Sequence, residues 1–549
     1  MSPDPRATHE VTNQPPPLDC IDTFGENRPL VEAVRREAGE PALEPLHRLG
    51  SLAGTPAAIQ WAREANEYPP VLRTHDRYGK RIDEVEFHPS WGYLMGISTD
   101  HGIHARPWRD PGPGAHAVRA AAMIVMSGLE AGHGCPISMT YAAVPALRAE
   151  PRVAAQWEPK LTALDYDPRL APLERKRAAL AGMAMTEKQG GSDVRANTTR
   201  AEPLAEDGAY ALTGHKWFCS APMSDAFLVL AQAPEGLTCF LLPQVLPDGT
   251  RNAFRIQRLK DKLGNRSNAS AEVEFDRALA RRVGEEGRGV PTIIEMVNAT
   301  RLDCLLGSTG LMRAAVAQAT HHAAYRHAFG SRLLDQPLMT NVLADLCLES
   351  EAATLLAMRL ARAVDEAESD PERKAFRRLG VAVGKYWICK AAVGVVAEAV
   401  ECLGGNGYVE ESGLPRLYRE TPLNSIWEGS GNVAALDVLR AMSKEPASVE
   451  AFLAELGWAS GTDPRFDRAV GALREELRAP DESGARRLVE RMAVILQASM
   501  VLRHSPPAVA DAFCASRLDG DRGRAYGTLP SGIDAVSIVE RHRPRRAAG

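Results

Sequence analysis

The texture of the chain changes twice, and those changes limit its fold more than any single motif. From Pro29 to about Leu180, apolar residues recur at helical spacing, as in RPLVEAVRREAG and HAVRAAAMIVMSGLEAG. From about Ala181 to Leu279 this gives way to short apolar or alternating runs, AYALTGHKWFCS, DAFLVLAQ, LTCFLLP and AEVEFD, divided by Gly, Pro and Asp. Such runs read as antiparallel strands. From about Gly284 to Ser443, long helical patterns return in PTIIEMVNATRLDCLLGSTGLMRAAVAQATHHAAYRH and AFRRLGVAVGKYWICKAAVGVVAEAVECLGG. The order is α–β–α, an α+β chain of several domains.

The 549 residues are expected to divide into an arm (1–28), a helical domain (29–180), a β domain (181–283), a helical bundle (284–443) and an addition (444–549). The Pro-rich arm (NQPPPLDC) is either laid over a neighbouring subunit or disordered. The addition holds about three helices, a Gly/Asp-rich segment (LDGDRGRAYGTLPSG) and a basic tail (RHRPRRAAG). A net charge of −5 gives no overall attraction to nucleic acid. Nine scattered Cys without a C-x-x-C pair argue against metal clusters and disulfide frameworks, and for reduced thiols in the cytoplasm. The N-terminus lacks the basic start and apolar stretch of a secretory signal. No uninterrupted apolar run reaches the roughly 18 residues of a membrane span. Signatures of zinc proteases, P-loops and serine hydrolases are absent. His321, His322 and His327 share one expected helix without a partner motif, and no metal is expected.

Two segments carry chemistry. In NSIWEGSGNVA (Asn424 to Ala434) a lone carboxylate, Glu428, sits between Trp427 and a Gly-Ser-Gly turn. An acid beside an aromatic and small residues suits a general base next to a flat cofactor. It could equally be a helix cap. Far upstream, MTEKQGGSDV (Met185 to Val194) offers hydroxyls and unhindered N–H groups of the kind that bind flavin and phosphate oxygens.

Together with GHKWFCS (Gly214 to Ser220), KDKLGNRSNASAEVEFD, RHAFG (Arg326 to Gly330), LGGNGY (Leu403 to Tyr408) and LYRETPLNSIWEGSGN, these segments resemble the acyl-CoA dehydrogenase family from roughly Ala181 to Met442. TEKQGGSDVRANTTRAE, RLKDKLGNRSNAS and SIWEGSGN resemble its AidB-type branch more closely. The resemblance implies an N-terminal helical domain, a central antiparallel β domain and a C-terminal four-helix bundle. It implies noncovalent FAD, an acyl-CoA substrate, and Glu428 as the base that removes the thioester α-proton. Met185, Thr186, Gly191 and Ser192 are implied at the isoalloxazine edge and pyrophosphate, with Phe218 and Ser220 covering the flavin. Trp217 is expected on the opposite face of its strand, because alternate residues point oppositely. Trp427 and Gly429 flank the base. Ser430 and Asn432 are implied at the adenosine part. Arg326 and Phe329 are implied in contacts across a dimer interface to a neighbour's FAD, within a homotetramer, and Gly405 is implied at the cofactor. Gln336 comes seven residues after Phe329, where relatives place a Gln at eight, and Glu401 stands where a Gln is common. LGGNGY is expected to end a helix rather than bind a dinucleotide. Arg301, in NATRLD, matches a CoA-contacting Arg.

Residues 441–549 carry 16 basic and 15 acidic side chains. Arg474 and Arg478, and Arg487 and Arg491, are spaced i, i+4 and can share a helix face. Arg465, Arg468 and Arg503 add to that set. The AidB-type resemblance implies double-stranded DNA as their partner, bound without sequence preference, and a role in protection from alkylation damage. Interleaved Glu475, Glu476, Glu482 and Glu490 allow the rival reading of a solvated, ion-paired face. The alternative function is a metabolic short- or branched-chain acyl-CoA dehydrogenase whose addition only builds the oligomer. A third is a flavoprotein with structural FAD.

Overall fold

A computed structural model describes residues 8–545. The first helical unit runs through Arg28–Ala38, Leu43–Ala53, Pro56–Glu67, Pro89–Asp100, Ala115–Leu129, Gly134–Leu147 and Pro151–Leu161. It contains one element that periodicity did not predict, an antiparallel hairpin, Val71–His75 with Arg81–Glu86. Its strands are rich in charge and mostly exposed, so they show no apolar alternation. The turn is fixed locally, with Asp76 Oδ1 accepting from the N–H groups of Tyr78 and Lys80. Arg81 Nη2 donates to the Ile256 carbonyl at 2.8 Å and ties the hairpin to the β domain.

The β domain is a sheet in the order Ala181–Ala184, Ala226–Ala233, Arg200–Pro203, Ala209–Ser220, Ser270–Val283, Gly236–Pro243. Ala226–Ala233 also pairs with Gly236–Pro243, which closes a ring of strands. Phe254–Leu259 pairs with Ser270–Val283. Most pairings are antiparallel, but Ala181–Ala184 runs parallel to Ala226–Ala233. The apolar run DAFLVLAQ is explained by burial on both faces. Phe227, Val229 and Ala231 enter the interior of the closed sheet, while Ala226, Leu228 and Leu230 pack with Tyr141, Leu147 and Trp157 of the first helical unit.

The bundle is built from Gly289–Tyr325, Pro337–Glu366, Pro371–Cys402 and a divided fourth helix, Leu414–Asn424 plus Gly431–Lys444. The Pro371–Cys402 helix is long and apolar because it is the buried central element. It ends at Cys402, and Gly404 follows in the left-handed region at φ 59°. His321 and His322 are buried on the 289–325 helix, and burial pulls His322 down to about 4. His327 lies beyond the helix end in a short hairpin, so the three imidazoles do not share one exposed face.

The addition forms the helices Pro446–Gly457, Pro464–Glu476, Ala485–His504, Pro507–Phe513 and Ala535–His542, more than the three expected. Phe452, Phe466, Leu488 and Val539 join the same apolar core as the bundle. Buried ion pairs seal the seam. Arg359 of the bundle grips Glu455 at 2.9 and 2.8 Å, and Arg503 reaches the same carboxylate at 3.1 Å. Arg517 pairs with Asp345 and Glu349, and Arg541 with Glu351. Arg465 is held by Asp463 and Asp511, and Arg468 by Asp519. Arg465 and Arg503 are therefore structural cations, whereas Arg468 stays exposed beside Asp519.

The arm, from residue 8 onward, lies on its own chain. His321 Nε2 is 2.8 Å from the Pro16 carbonyl, and Asn13 is bonded to the hairpin around His327.

Candidate active site

The divided fourth helix makes the site. Helical backbone stops after Asn424, and Glu428 (φ 58°) and Gly429 (φ 108°) leave the right-handed region. A left-handed non-glycine residue costs about 1–2 kcal/mol, so surrounding contacts must hold it there. They do. Arg301 Nε donates to the Glu428 carbonyl at 3.0 Å, and Lys385 Nζ donates to the Gly429 carbonyl. Arg301 Nη1 is fixed in turn by Asp437 at 2.8 Å, and Arg378 braces the same carboxylate. Trp427 Nε1 donates to Asn424 Oδ1 at 3.0 Å, and Asn424 is tied to Ser308. Arg301, expected at the CoA chain, is thus committed to the base turn. A buried guanidinium facing a carbonyl and a carboxylate is a positioning group.

Parts of Glu428 reach the surface, but its carboxylate Oε2 does not. Oε2 is buried and has no hydrogen-bond partner among the described residues. Burial lifts the carboxyl to about 7, partly offset by the Thr300 hydroxyl and the charges of Arg301 and Lys385.

Residues from the other domains converge here. Cys135 opens the Gly134–Leu147 helix, and its thiol is pushed up to about 12 by burial. Lys262, Glu428, Asn268 and Ser220 are the side chains acting on it, so first helical unit, β domain and bundle meet around this thiol. Asn268 Oδ1 is a second buried acceptor without a partner among the described residues. Lys262 Nζ bonds the Asn268 carbonyl at 2.7 Å and Ser270 Oγ at 2.9 Å, and burial lowers it to about 8. Behind it, Glu420 accepts from the Asn265 N–H at 2.7 Å, and burial raises that acid to about 7 as well.

The MTEKQGGSDV loop is shaped from within. The Trp217 N–H donates to the Thr186 carbonyl at 2.8 Å, which lays GHKWFCS beside it. A Cβ on Gly191 would fall 2.5 Å from Thr186 Oγ1, so only glycine lets the loop fold back. Glu187 and Lys216 form a buried pair at 2.7 Å beneath, and Asn197 Nδ2 holds the Met185 carbonyl. Ser192 and half of Phe218 are exposed. Trp217 corrects the alternation argument. Lys260 Nζ sits 3.3 Å from the Trp217 ring centroid and 4.5 Å from that of Phe218, so both rings flank one ammonium. The register of this strand slips between Lys216 and Cys219, and a slip breaks strict alternation.

Arg326 and Phe329 lie on the hairpin His327–Ala328/Ser331–Arg332. Arg326 Nη1 donates to the Asn13 carbonyl, Asn13 Oδ1 accepts from the His327 N–H at 2.7 Å, and Gln336 Nε2 donates to the Ala328 carbonyl. Phe329 is 99% exposed at the tip, with φ 52°. Gly405 is exposed in the turn after Cys402. Ser430 takes the N-cap position of the 431–444 helix, yet its side chain makes no capping bond.

Residues 13–168 match the profile of the Adaptive response protein AidB N-terminal domain. Residues 182–278 and 287–443 match the middle and C-terminal domains of acyl-CoA dehydrogenases. The AidB protein of Escherichia coli K12 is 46% identical over 514 residues, 93% of this chain and 95% of that one. The chain belongs to the acyl-CoA dehydrogenase family, in its AidB branch. Acyl-CoA dehydrogenase family member 11 of Caenorhabditis elegans is 34% identical over 71% of this chain and 65% of its own length. The solved structure of C. elegans ACDH-11 in complex with C11-CoA superposes with a TM-score of 0.84 at 27% identity, covering 99% of this chain and 95% of that one. The fold is that of an acyl-CoA dehydrogenase, and the chain is a flavin oxidoreductase of an FAD-dependent family.

The site fits a flavin. Two buried acceptors lack partners, the Gly191 loop leaves its backbone open, and Ser430 and Asn432 present exposed polar groups beside the base turn. Thr186, Ser192, Ser220 and Ser430 are the residues that would supply hydroxyls to it. Lys385, Asp437, Asn268 and Asn13 were not visible as site residues in the sequence. The partners of Lys385, Asp437 and Asn13 lie tens to hundreds of residues away, where no spacing rule reaches, while Asn268 is bonded locally to Lys262 and Asn265.

Proposed function

We propose that the protein oxidises an acyl-CoA thioester across its α,β bond, with Glu428 as the base, as an FAD-bearing homotetramer of the AidB type in the cytoplasm. The supporting observation is the buried, unpartnered Glu428 Oε2 with its carboxyl lifted to about 7. An acid without a partner in a dry site is costly to maintain, and a raised proton affinity is what abstraction from carbon needs. The FAD supplies the acceptor for the β-hydride. Glu428 takes the α-proton onto its carboxylate. Arg301 and Lys385 hold the carbonyls of residues 428 and 429, so the carboxylate keeps its aim. A solved relative bound to C11-CoA supports the substrate class. The exposed Phe329, Leu338 and Tyr408 support burial between subunits. The test is anaerobic bleaching of the flavin by short and branched acyl-CoAs in wild type and Glu428→Gln. Bleaching in wild type and its loss in a variant that keeps its flavin are expected. Unchanged bleaching in the variant would remove Glu428 as base, and no bleaching in wild type would favour a structural flavin.

We propose further that the addition binds double-stranded DNA without sequence preference and serves in alkylation protection. Membership in the AidB branch and the exposed Arg474, Arg478, Arg487 and Arg491 support this. The metabolic reading draws on a specific observation too. Arg478 pairs with Glu475 at 2.6 Å, and Glu476 lies 3.7 Å from Arg487 and in contact with Arg491. Phosphate must displace these acids. A binding titration against salt decides, because phosphate-dominated affinity falls steeply with ionic strength. No binding at low salt gives the lead to the metabolic dehydrogenase.

A further inference from the structure

Most buried or half-buried cations in this molecule face a carboxylate. One cluster at the seam between bundle and addition does not, and it joins the buried Lys385 and half-buried Lys390 to an exposed Arg486. Lys385 and Lys390 lie on the Pro371–Cys402 helix, and Arg486 lies in the first turn of Ala485–His504, in the addition. None of the three makes an ion pair among the described residues. Arg486 Nε bonds the Tyr386 hydroxyl at 3.3 Å, and Lys390 Nζ lies 5.5 Å from the centroid of the same ring. Lys385 is spent on the Gly429 carbonyl. That leaves Lys390 and Arg486 side by side with their charges unanswered.

Their place in the fold is specific. A Cβ on Gly431 would fall 2.9 Å from Lys390 Nζ and 3.8 Å from Arg486 Nη2, so both cations crowd the first residue of the Gly431–Lys444 helix. Ser430 and Asn432 flank that residue and are exposed. Burial and like charge both lower the Lys390 ammonium, with Arg486 and Lys385 as the opposing neighbours. The acid acting on Arg486 is Glu490, one turn along its own helix and not within ion-pair distance. Holding two cations together at the positive end of a helix is unfavourable unless an anion completes the group.

We propose that Lys390 and Arg486 form a phosphate-binding subsite on the seam between the bundle and the addition, taking a phosphate of the bound nucleotide. The inference rests on Ser430 and Asn432 being nucleotide contacts. Two ligands of this site class carry the required phosphate ester, FAD and the CoA thioester, and FAD is the favoured source because the family resemblance puts its adenosine part at Ser430 and Asn432, beside this pair. The addition then contributes directly to cofactor retention and is more than a surface for a second macromolecule.

The test uses full-length protein stripped of and titrated with FAD, followed by flavin fluorescence at increasing salt. In K390Q/R486Q the FAD dissociation constant should rise about tenfold or more, the weight of one charge-assisted phosphate contact, and its salt dependence should weaken. The charge-conserving K390R/R486K should hold FAD nearly as wild type does. Circular dichroism and a melting curve of each apoprotein separate a binding defect from a folding defect, and K390M alone serves if the double variant fails to fold. Titration of the holoprotein with free CoA distinguishes the sources. Weakened CoA binding with unchanged FAD binding assigns the subsite to the CoA phosphates. Unchanged affinity for both in a folded K390Q/R486Q protein overturns the proposal. Failure of wild-type apoprotein to take FAD would instead overturn the cofactor reading itself.

Discussion

The turn at Glu428 and the helix pair 464–476 and 485–504 both carry charge, and they treat it in opposite ways. At Glu428 a carboxylate is buried with one oxygen unpartnered, on a backbone forced into the left-handed region. On the helix pair, Arg478, Arg487 and Arg491 are exposed beside Glu475 and Glu476. An unpaired buried acid costs stability and persists only where something else demands it. Exposed pairs are worth about 0–1 kcal/mol each and demand nothing. The first region declares a function by its imbalance. The second leaves its function to be found by titration.

The largest expected effect lies in the first region. Glu428→Gln should slow flavin reduction by about 10³-fold, within the range of a missing general base, with the flavin spectrum retained. It should also stabilise the protein above neutral pH. The folded carboxyl binds its proton at about 7 against an ordinary value of 4.5, so the folded state holds more protons than the unfolded state between those values. Wild-type stability then falls as pH rises from 4.5 to about 7. Thermal melts of both proteins at pH 8 check this.

Next in size is the seam. Glu455→Ala removes the buried acid shared by Arg359, Arg373 and Arg503, leaves Arg359 only Glu366, and should cost about 3 kcal/mol, read by denaturant unfolding. Because addition and bundle share one core, they should unfold in one transition. Two separated transitions would make the addition an independent module.

The surface effects are smaller. Replacing Arg474, Arg478, Arg487 and Arg491 together by Gln should flatten the log–log salt dependence of duplex binding by about 0.9 for each phosphate that is no longer neutralised. An unchanged slope would clear this face of any DNA role. Smallest of all, Glu475→Gln should change stability by less than about 1 kcal/mol while freeing Arg478, so it should strengthen duplex binding if the patch is a phosphate site.

How far the sequence could be read follows from the same physics. The DAFLVLAQ strand is legible because burial on both faces leaves a continuous apolar run, whereas the 71–86 hairpin is not, since charged exposed strands carry no such record. Glu428 stands out by its small neighbours. For Arg301 a motif match fixes its helix but not where its guanidinium points, and the structure turns it onto the Glu428 carbonyl. Trp217 is misassigned because a strand slip is invisible in a run of residues. Arg503 reads as an open cation until Glu455 comes to meet it from a distant part of the chain.

The central claim is that burial makes Glu428 a base near neutrality. The pH dependence of the second-order rate of anaerobic flavin reduction by an acyl-CoA tests it, since that rate reports groups of the free enzyme. The rate should be low in acid, rise tenfold per unit while the carboxyl is protonated, and level off above about 7. A profile already flat from pH 5.5 to 8, with no inflection in that range, would mean that the acting carboxylate is an ordinary exposed one, and would contradict the account.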